Sequence, residues 1–299
     1  MEILICGSAA GEGIPSAFCR CRVCRNARKS GGFDARTRTA YQIGEEVRID
    51  FGPDFLAQEI RLGFDSEKIR HLFITHDHAD HFYPETLNHR RPAYSKVAPG
   101  RILKVYCNEA VERAAMAHPV IGEGIEILQM EFVRLKAWEP VVLREERMTL
   151  TPLPAYHAPE QEAFFFDVRS DSGEEWLIAN DTGFFSEPVW EWLGKRKFDG
   201  VILGCTFGLL PDDYPYHMGA GKNLLVLRRM RECGMLKPDA RVVANHFSHN
   251  CGNTHRELYE FFKPFGIETG YDGMRLESLC RCLAGESVPH PAVAYEVET

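Results

Sequence analysis

Short apolar segments alternate with polar turns along the chain, a pattern typical of a protein built mainly of strands with interspersed helices. Apolar runs bounded by turn residues predict strands at residues 2–7, 40–51, 69–75, 102–106, 125–134, 141–151, 163–168, 175–179, 201–203 and 241–244. Apolar positions at helical spacing predict helices at residues 53–62, 188–197, 223–233 and 255–262. Since no linker or repeat divides the sequence, we expect a single α+β domain over residues 1–299, with a loose tail after about residue 282.

The 299 residues are 44% hydrophobic and 26% charged, which is ordinary for a globular protein. No apolar run approaches the roughly 18 residues needed to cross a bilayer, and the first residues show neither a basic segment nor a signal-peptide cleavage site. We therefore expect a cytoplasmic protein with no membrane partner. The net charge of −8 disfavours a dedicated nucleic-acid-binding protein, because displacing counterions from nucleic acid requires dense Lys and Arg.

The densest polar cluster follows the predicted strand 69–75 and contains His76, His78, Asp80 and His81. On a regular strand or helix these side chains do not all point to one place. A loop that leaves a strand, in contrast, can aim His76 and His78 at one metal ion and Asp80 and His81 at a second. Imidazole and carboxylate ligands suit zinc, manganese or iron, so the cluster predicts a binuclear site whose metal stays open.

Three further polar residues, His157, Asp181 and His246, each follow an apolar strand. Asp181 lies in an Asn-Asp-Thr-Gly segment. Polar groups just past the ends of several strands can converge at one edge of the sheets. We therefore expect all three to complete the ligand set of the paired metals.

The segment containing Cys19, Cys21 and Cys24 predicts a different kind of site, a structural zinc. Ten cysteines without a secretion signal are not expected to form a disulfide framework, since cytosolic thiols are kept reduced. Three thiolates leave a tetrahedral zinc one ligand short. His249 is the preferred fourth ligand, and Cys251 is the alternative.

The H-x-H-x-D-H segment, the later histidine, the aspartate of Asp-Thr-Gly and the last histidine together resemble the metallo-β-lactamase superfamily. The resemblance covers residues 1 to about 280 and implies a four-layer αββα sandwich with a two-metal site at one sheet edge. It implies that one metal is held by His76, His78 and His157, and the other by Asp80, His81 and His246. It also implies that Asp181 bridges the two metals and that Asp50 supports the ligands without binding metal itself.

The cysteine cluster combined with the H-x-x-H near the end resembles the PhnP family of phosphoribosyl cyclic phosphate phosphodiesterases. This resemblance implies hydrolysis of small cyclic phosphodiesters by a two-metal-activated hydroxide, with Asp80 orienting the attacking water or accepting its proton. His217, which resembles a histidine of that family, is expected to protonate the leaving alkoxide, with Asp212 and Asp213 keeping it charged.

Three other functions stay open. The N-terminal Gly-Ser-Ala-Ala-Gly turn resembles PqqB-type proteins of quinone-cofactor biosynthesis, which suggests an accessory role. Seven basic residues between Arg20 and Arg38 allow an RNA endonuclease similar to tRNase Z, and the same metals would serve a lactone or thioester hydrolase. We expect a small-molecule phosphodiester as partner rather than nucleic acid, and leave a homodimer open. Cys280 and Cys282 are expected to be reduced structural thiols, with a metal or interaction element as the alternative.

Overall fold

The computed structural model describes residues 1–277 of the chain. Cys280, Cys282 and the tail after about residue 282 lie outside the described residues, so the expectations for them stay predictions. Within residues 1–277, none of the helices combines the length and the apolar character needed to span a membrane.

Fourteen strands form within the described residues. They are β1 Ile3–Gly7, β2 Ala40–Ile43, β3 Val47–Ile49, β4 His71–Phe73, β5 Leu103–Cys107, β6 Met130–Arg134, β7 Val141–Leu143, β8 Met148–Pro154, β9 Phe164–Ser170, β10 Glu175–Ala179, β11 Phe198–Gly204, β12 Leu236–Asn245, β13 Glu268–Thr269 and β14 Met274–Leu276. The α-helices of the same part of the chain are α1 Arg22–Ser30, α2 Phe55–Leu62, α3 Pro84–Leu87, α4 Glu109–Ala117, α5 Pro119–Gly124, α6 Glu187–Leu193, α7 Ala220–Glu232 and α8 His255–Phe262.

The described strands make two seven-stranded sheets, ordered β14-β1-β2-β3-β4-β5-β6 and β13-β12-β11-β10-β9-β8-β7. Strands β3 to β6 run parallel in the first sheet, and β10 to β13 run parallel in the second. The carboxyl ends of parallel neighbours lie at the same edge of a sheet, and loops at that edge are where such sheets bind ligands.

Alternation of side chains along the strands divides the apolar residues into layers. The core between the two sheets includes Ile5, Phe73, Phe166, Trp176, Ile202 and Val243. The other face of the first sheet packs against α2, α4 and α5, and the other face of the second sheet packs against α6 and α7. Helix α8 and α1 extend the second helical layer over Val242 and Ala244. The predicted αββα sandwich is therefore confirmed.

Several predicted boundaries are wrong. The strand expected over 125–134 is confined to β6, because Pro119 begins the short helix α5 and the chain then turns until Gln129. The strand expected over 141–151 is a hairpin of β7 and β8, which pair antiparallel. The helix expected over 188–197 ends at Leu193, since β11 already begins at Phe198.

Candidate functional site

The predicted paired-metal ligands meet at one edge of the two sheets, because each lies just past the carboxyl end of a strand. His76 and His78 follow β4, His157 follows β8, Asp181 follows β10 and His246 follows β12. Their candidate ligand atoms fall into two groups, each within 4.8 Å: His76, His78 and His157 in one, and Asp80, His81, Asp181 and His246 in the other. The structure thus brings together every residue expected in the paired site, and Asp181, the expected bridge, falls in the second group.

In the first group three ring nitrogens face one another. His78 Nδ1 lies 2.9 Å from His76 Nε2 and 3.2 Å from His157 Nε2. Burial lowers the pKa of His76 well below its ordinary value and that of His157 to about 4, so both rings are neutral at pH 7. Nitrogens about 2.0–2.1 Å from a tetrahedral zinc would be roughly 3.3–3.4 Å apart, so a cation fits between these three.

In the second group, three buried polar atoms have no hydrogen-bond partner among the described residues: His81 Nε2, Asp181 Oδ1 and His246 Nε2. His81 Nε2 lies 3.0 Å from Asp80 Oδ2 and 2.8 Å from Asp181 Oδ2 without the alignment of a hydrogen bond. Burial opposes a charge on His81, but its neighbouring carboxylates outweigh burial and raise the pKa of His81 well above its ordinary value. This group therefore calls for positive charge at its centre, which a divalent cation would supply.

Asp181 joins the two groups. Its Oδ2 lies 2.8 Å from His81 Nε2 in one group and 3.7 Å from His76 Nε2 in the other. Asp181 is buried, and its pKa stays well below its ordinary value because the surrounding histidines outweigh the effect of burial. A carboxylate in this position suits a bridging ligand.

Hydrogen bonds behind the ligands set which ring nitrogen is free to bind metal. His81 Nδ1 donates to Asp50 Oδ2 at 2.7 Å, and His76 Nδ1 donates to Thr75 Oγ1 at 2.9 Å. The Thr75 hydroxyl in turn donates to Asp50 Oδ1 at 2.9 Å. His157 Nδ1 donates to the carbonyl oxygen of Tyr216 at 3.3 Å. In its neutral form each of these rings therefore directs an Nε2 lone pair into the site, as metal-ligating histidines do.

Two of the site residues adopt unusual backbone conformations. Asp50 has φ 66° and His246 has φ 58°, in the left-handed region that few non-glycine residues occupy. Arg48, fully buried, donates from Nε to the carbonyl oxygen of Asp50 at 3.0 Å and helps to hold this conformation. Strain of this kind concentrates at functional sites, where the surrounding fold enforces it.

We expect Asp50→Asn to lower metal retention and turnover by about 10- to 100-fold, as is usual when the outer partner of a ligating histidine is lost. An amide N–H facing His81 would favour the tautomer in which Nε2 carries the proton and offers no lone pair. Elemental analysis of the purified variant and its turnover check this. The control is Asp167→Asn, a buried carboxylate that accepts from Trp192 and Arg196 instead. Normal metal content and turnover in Asp50→Asn would contradict the supporting role.

His217 lies beside the paired site. Its Nδ1 is 3.3 Å from Asp181 Oδ1 and 3.4 Å from Thr206 Oγ1, and its ring lies 4.7 Å from that of His157. The loop that carries His217 packs directly on the Asp-Thr-Gly loop, since a Cβ at Gly183 would lie 1.7 Å from the carbonyl oxygen of Pro215. The side chain is 20% exposed, so it reaches both the site and solvent.

The expected partners of His217 are wrong. Asp212 accepts from the backbone N–H groups of Gly219 and Lys222 at 2.6 and 2.7 Å, and so fixes the start of α7. Asp213 is exposed and forms neither a hydrogen bond nor an ion pair with His217. The carboxylate that faces His217 is Asp181, because the loop folds back over the Asp-Thr-Gly segment.

Two polar residues of the site were missed in the sequence. Thr206 follows β11 and contacts His246 Nδ1 at 2.9 Å. Its position just past a strand was the signal that could have identified it. Gln161 accepts from the Asp77 backbone N–H at 3.0 Å and from Asn108 Nδ2 at 3.1 Å, which ties the histidine loop to its neighbours. Nothing in its sequence surroundings marks Gln161.

The cysteine cluster forms a separate group with His249. His249 Nδ1 lies 3.7 Å from Cys19 Sγ and 3.6 Å from Cys21 Sγ. Ligands at about 2.3 Å for sulfur and 2.05 Å for nitrogen around a tetrahedral zinc would be about 3.6 Å apart, which matches. Cys251, the alternative ligand, is buried but is not part of the group.

Backbone N–H groups point at two sulfur atoms of this cluster, and the ionisation of the thiols differs between them. Cys24 Sγ accepts from the Ser16 N–H at 3.3 Å, and Cys21 Sγ accepts from the Cys24 N–H at 3.4 Å. Burial opposes ionisation of Cys21, but the Cys24 N–H and His249 lower its pKa to about 6. Burial, together with the neighbouring Cys21 and Cys19, raises the pKa of Cys24 to about 12. Three cysteine sulfurs and one histidine nitrogen are a donor set typical of a structural zinc, which these four residues could hold.

A family model for the beta-lactamase superfamily domain matches residues 46–247, a segment that contains every predicted ligand of the paired site. A solved structure of a new diphosphatase from the PhnP family is 25% identical, with a TM-score of 0.68 over 92% of this chain and 96% of that chain. Zn²⁺-bound PqqB from Methylobacterium extorquens is 15% identical, with a TM-score of 0.65 over 93% of this chain and 100% of that chain, and shows likeness of fold alone.

One curated protein matches over a shorter stretch. An octanoyltransferase of Porphyromonas gingivalis is 38% identical over 85 residues, which are 27% of this chain and 16% of that protein. The matched stretch thus spans about a sixth of the length of that relative.

Proposed function

Because the chain belongs to the metallo-β-lactamase superfamily of metal-dependent hydrolases, we propose that it hydrolyses small phosphodiesters, cyclic ones in particular. Two divalent ions, when held by the two ligand groups, would activate a water molecule and offset the negative charge on the phosphoryl oxygens. The observation that carries the proposal is the placement of His217 beside Asp181, where both ligand groups meet. An alkoxide leaving a phosphodiester needs a proton, and a histidine at this position can supply it.

The solvent exposure of the other side chains in the paired site indicates their roles. Asp80 is the more open carboxylate of the second group, with a side chain 14% exposed against 5% for Asp181. We assign it to orient the attacking water or accept its proton. The histidines behind it are nearly inaccessible and act as ligands.

Tyrosine rings border the site and favour a substrate that carries a ring. Tyr156 and Tyr214 are 55% and 47% exposed, and each lies within 5.5 Å of the Tyr216 ring. Tyr214 also stacks on His217, with ring centres 6.0 Å apart. Exposed aromatic faces of this kind bind sugars and bases by contact rather than by charge.

The basic segment between Arg20 and Arg38 does not favour RNA as the substrate. Arg22 pairs with Glu257, Arg36 is buried, and Arg38 pairs with Asp54. Arg28 donates to the carbonyl oxygens of Cys19 and Ser16. Four of the seven basic residues are thus engaged within the protein rather than presented as a phosphate-binding face.

We expect His217→Ala to lower kcat by about 10²- to 10⁴-fold on a diester with an alkoxide leaving group, and by less than about tenfold when p-nitrophenolate leaves. The difference arises because p-nitrophenolate departs without a proton. Metal content should be unchanged. His89→Ala, which removes an exposed histidine, is the control. Equal losses on both substrates would rule out His217 as the general acid.

A substrate panel tests the proposed function. One preparation is assayed on bis-p-nitrophenyl phosphate, a ribose cyclic phosphate, a dinucleoside diphosphate, a lactone, a thioester and a precursor tRNA. We expect the cyclic phosphate to give the highest kcat/KM. A preference for the diphosphate, the lactone, the thioester or the tRNA would replace the phosphodiester proposal by the corresponding activity, and inactivity on all would favour the accessory role.

A further inference from the structure

A cavity of about 370 Å³ lies beneath the segment 86–101, on the helical side of the first sheet. Its apolar lining includes Phe55, Ile69, Leu72, Leu87, Val97 and Leu103. It shares no residue with either predicted metal site. The volume falls at the lower end of the range of about 300–1,000 Å³ typical of small-molecule sites.

The charged part of the lining is mainly cationic. Arg90, Lys96 and Arg101 line the cavity, and none of the three has a carboxylate within 4 Å in the part of the chain that the structure describes. Glu67 is the acidic residue among the lining side chains, so the net charge is positive.

Hydrogen bonds hold two of these cations in place. Arg90 donates to the carbonyl oxygens of Leu128 at 2.8 Å and Arg101 at 2.7 Å, and Arg101 Nε donates to the carbonyl oxygen of Glu67 at 2.6 Å. Burial and the nearby charge of Arg101 lower the pKa of Arg90. Hydrogen bonds to backbone carbonyl groups thus hold both guanidinium groups at the cavity.

We propose that this cavity binds a small anionic amphiphile, with an apolar chain among the leucine and phenylalanine side chains and an acidic head group at Arg90, Lys96 and Arg101. An apolar interior removes the chain from water, and fixed guanidinium groups pair with carboxylate or phosphate oxygens. This binding site is independent of the proposed hydrolysis.

Isothermal titration calorimetry with hexanoate, octanoate and decanoate tests whether the apolar side chains of the cavity bind the chain of the ligand. Each added methylene should tighten Kd by about fourfold until the cavity is full, after which affinity levels off. Decanol and decyl phosphate test the head group. Decanoate and decyl phosphate should each bind at least about tenfold more tightly than decanol, since hydrogen bonds to a charged group are stronger than those between neutral groups.

Variants of the cationic lining residues test whether decanoate binds in this cavity. Arg101→Gln and Lys96→Gln, which alter partly or fully exposed side chains, should each weaken decanoate binding and leave decanol binding unchanged. Arg113→Gln removes an exposed arginine of α4 that does not line the cavity, and should have no effect. Absence of saturable binding, no dependence on chain length, or equal affinity in wild type and Arg101→Gln would overturn the proposal.

Discussion

Replacing His76 with alanine is expected to reduce phosphodiester turnover by about a thousandfold or more, because a catalytic ion contributes several kcal/mol to the transition state. His76 is fully buried, and its Nε2 lies 2.9 Å from His78 Nδ1 at the centre of the first ligand group. Alanine would leave two ligands and a cavity there. Turnover of bis-p-nitrophenyl phosphate and metal content per chain measure the effect.

The matched control is His71→Ala. His71 lies on β4, and its ring contacts Tyr106 at 3.1 Å and Glu146 at 2.9 Å instead of the ligand groups. This variant should keep its metal and most of its activity. Wild-type metal content and turnover in His76→Ala would show that the first group does not hold a catalytic ion.

The second large effect is expected from Cys21→Ser. The variant should lose about one zinc per chain and melt roughly 10 °C lower or more, because binding of a structural metal is part of the folding free energy. Cys21 precedes α1 as its N-cap and faces His249, so the site links the N-terminal segment to the loop after β12. Elemental analysis and thermal unfolding provide the readouts.

Cys233→Ser is the control, since Cys233 is an exposed free thiol at the end of α7. It should keep both zinc content and melting temperature. Undiminished zinc together with unchanged melting in Cys21→Ser would remove the assignment of a structural zinc.

The position of the paired site could be predicted because one rule of topology applies to all its ligands. His157, Asp181 and His246 are far apart in sequence, but each follows an apolar strand. Strands that share a direction bring such residues to one edge, so the sequence pattern predicted their convergence, while the division of the ligands between two metals came from the family resemblance.

The interactions around the site could not be predicted in the same way. The pairing of His217 with Asp181 depends on how the loop before α7 folds back, and the nearby Asp212 is used to cap that helix instead. The role of Thr75 depends on hydrogen-bond geometry rather than on spacing. Helices α1, α3, α4 and α5 were also missed.

Removal and return of metal tests the central claim most directly. Purified protein is freed of metal with a chelator, shown to remain folded, and assayed on bis-p-nitrophenyl phosphate before and after addition of manganese or zinc. The account predicts negligible turnover in the metal-free protein and recovery on reloading, with wild type but not His76→Ala regaining activity. Turnover that is unaffected by metal removal, or folded and reloaded protein that cleaves no phosphodiester, would contradict it.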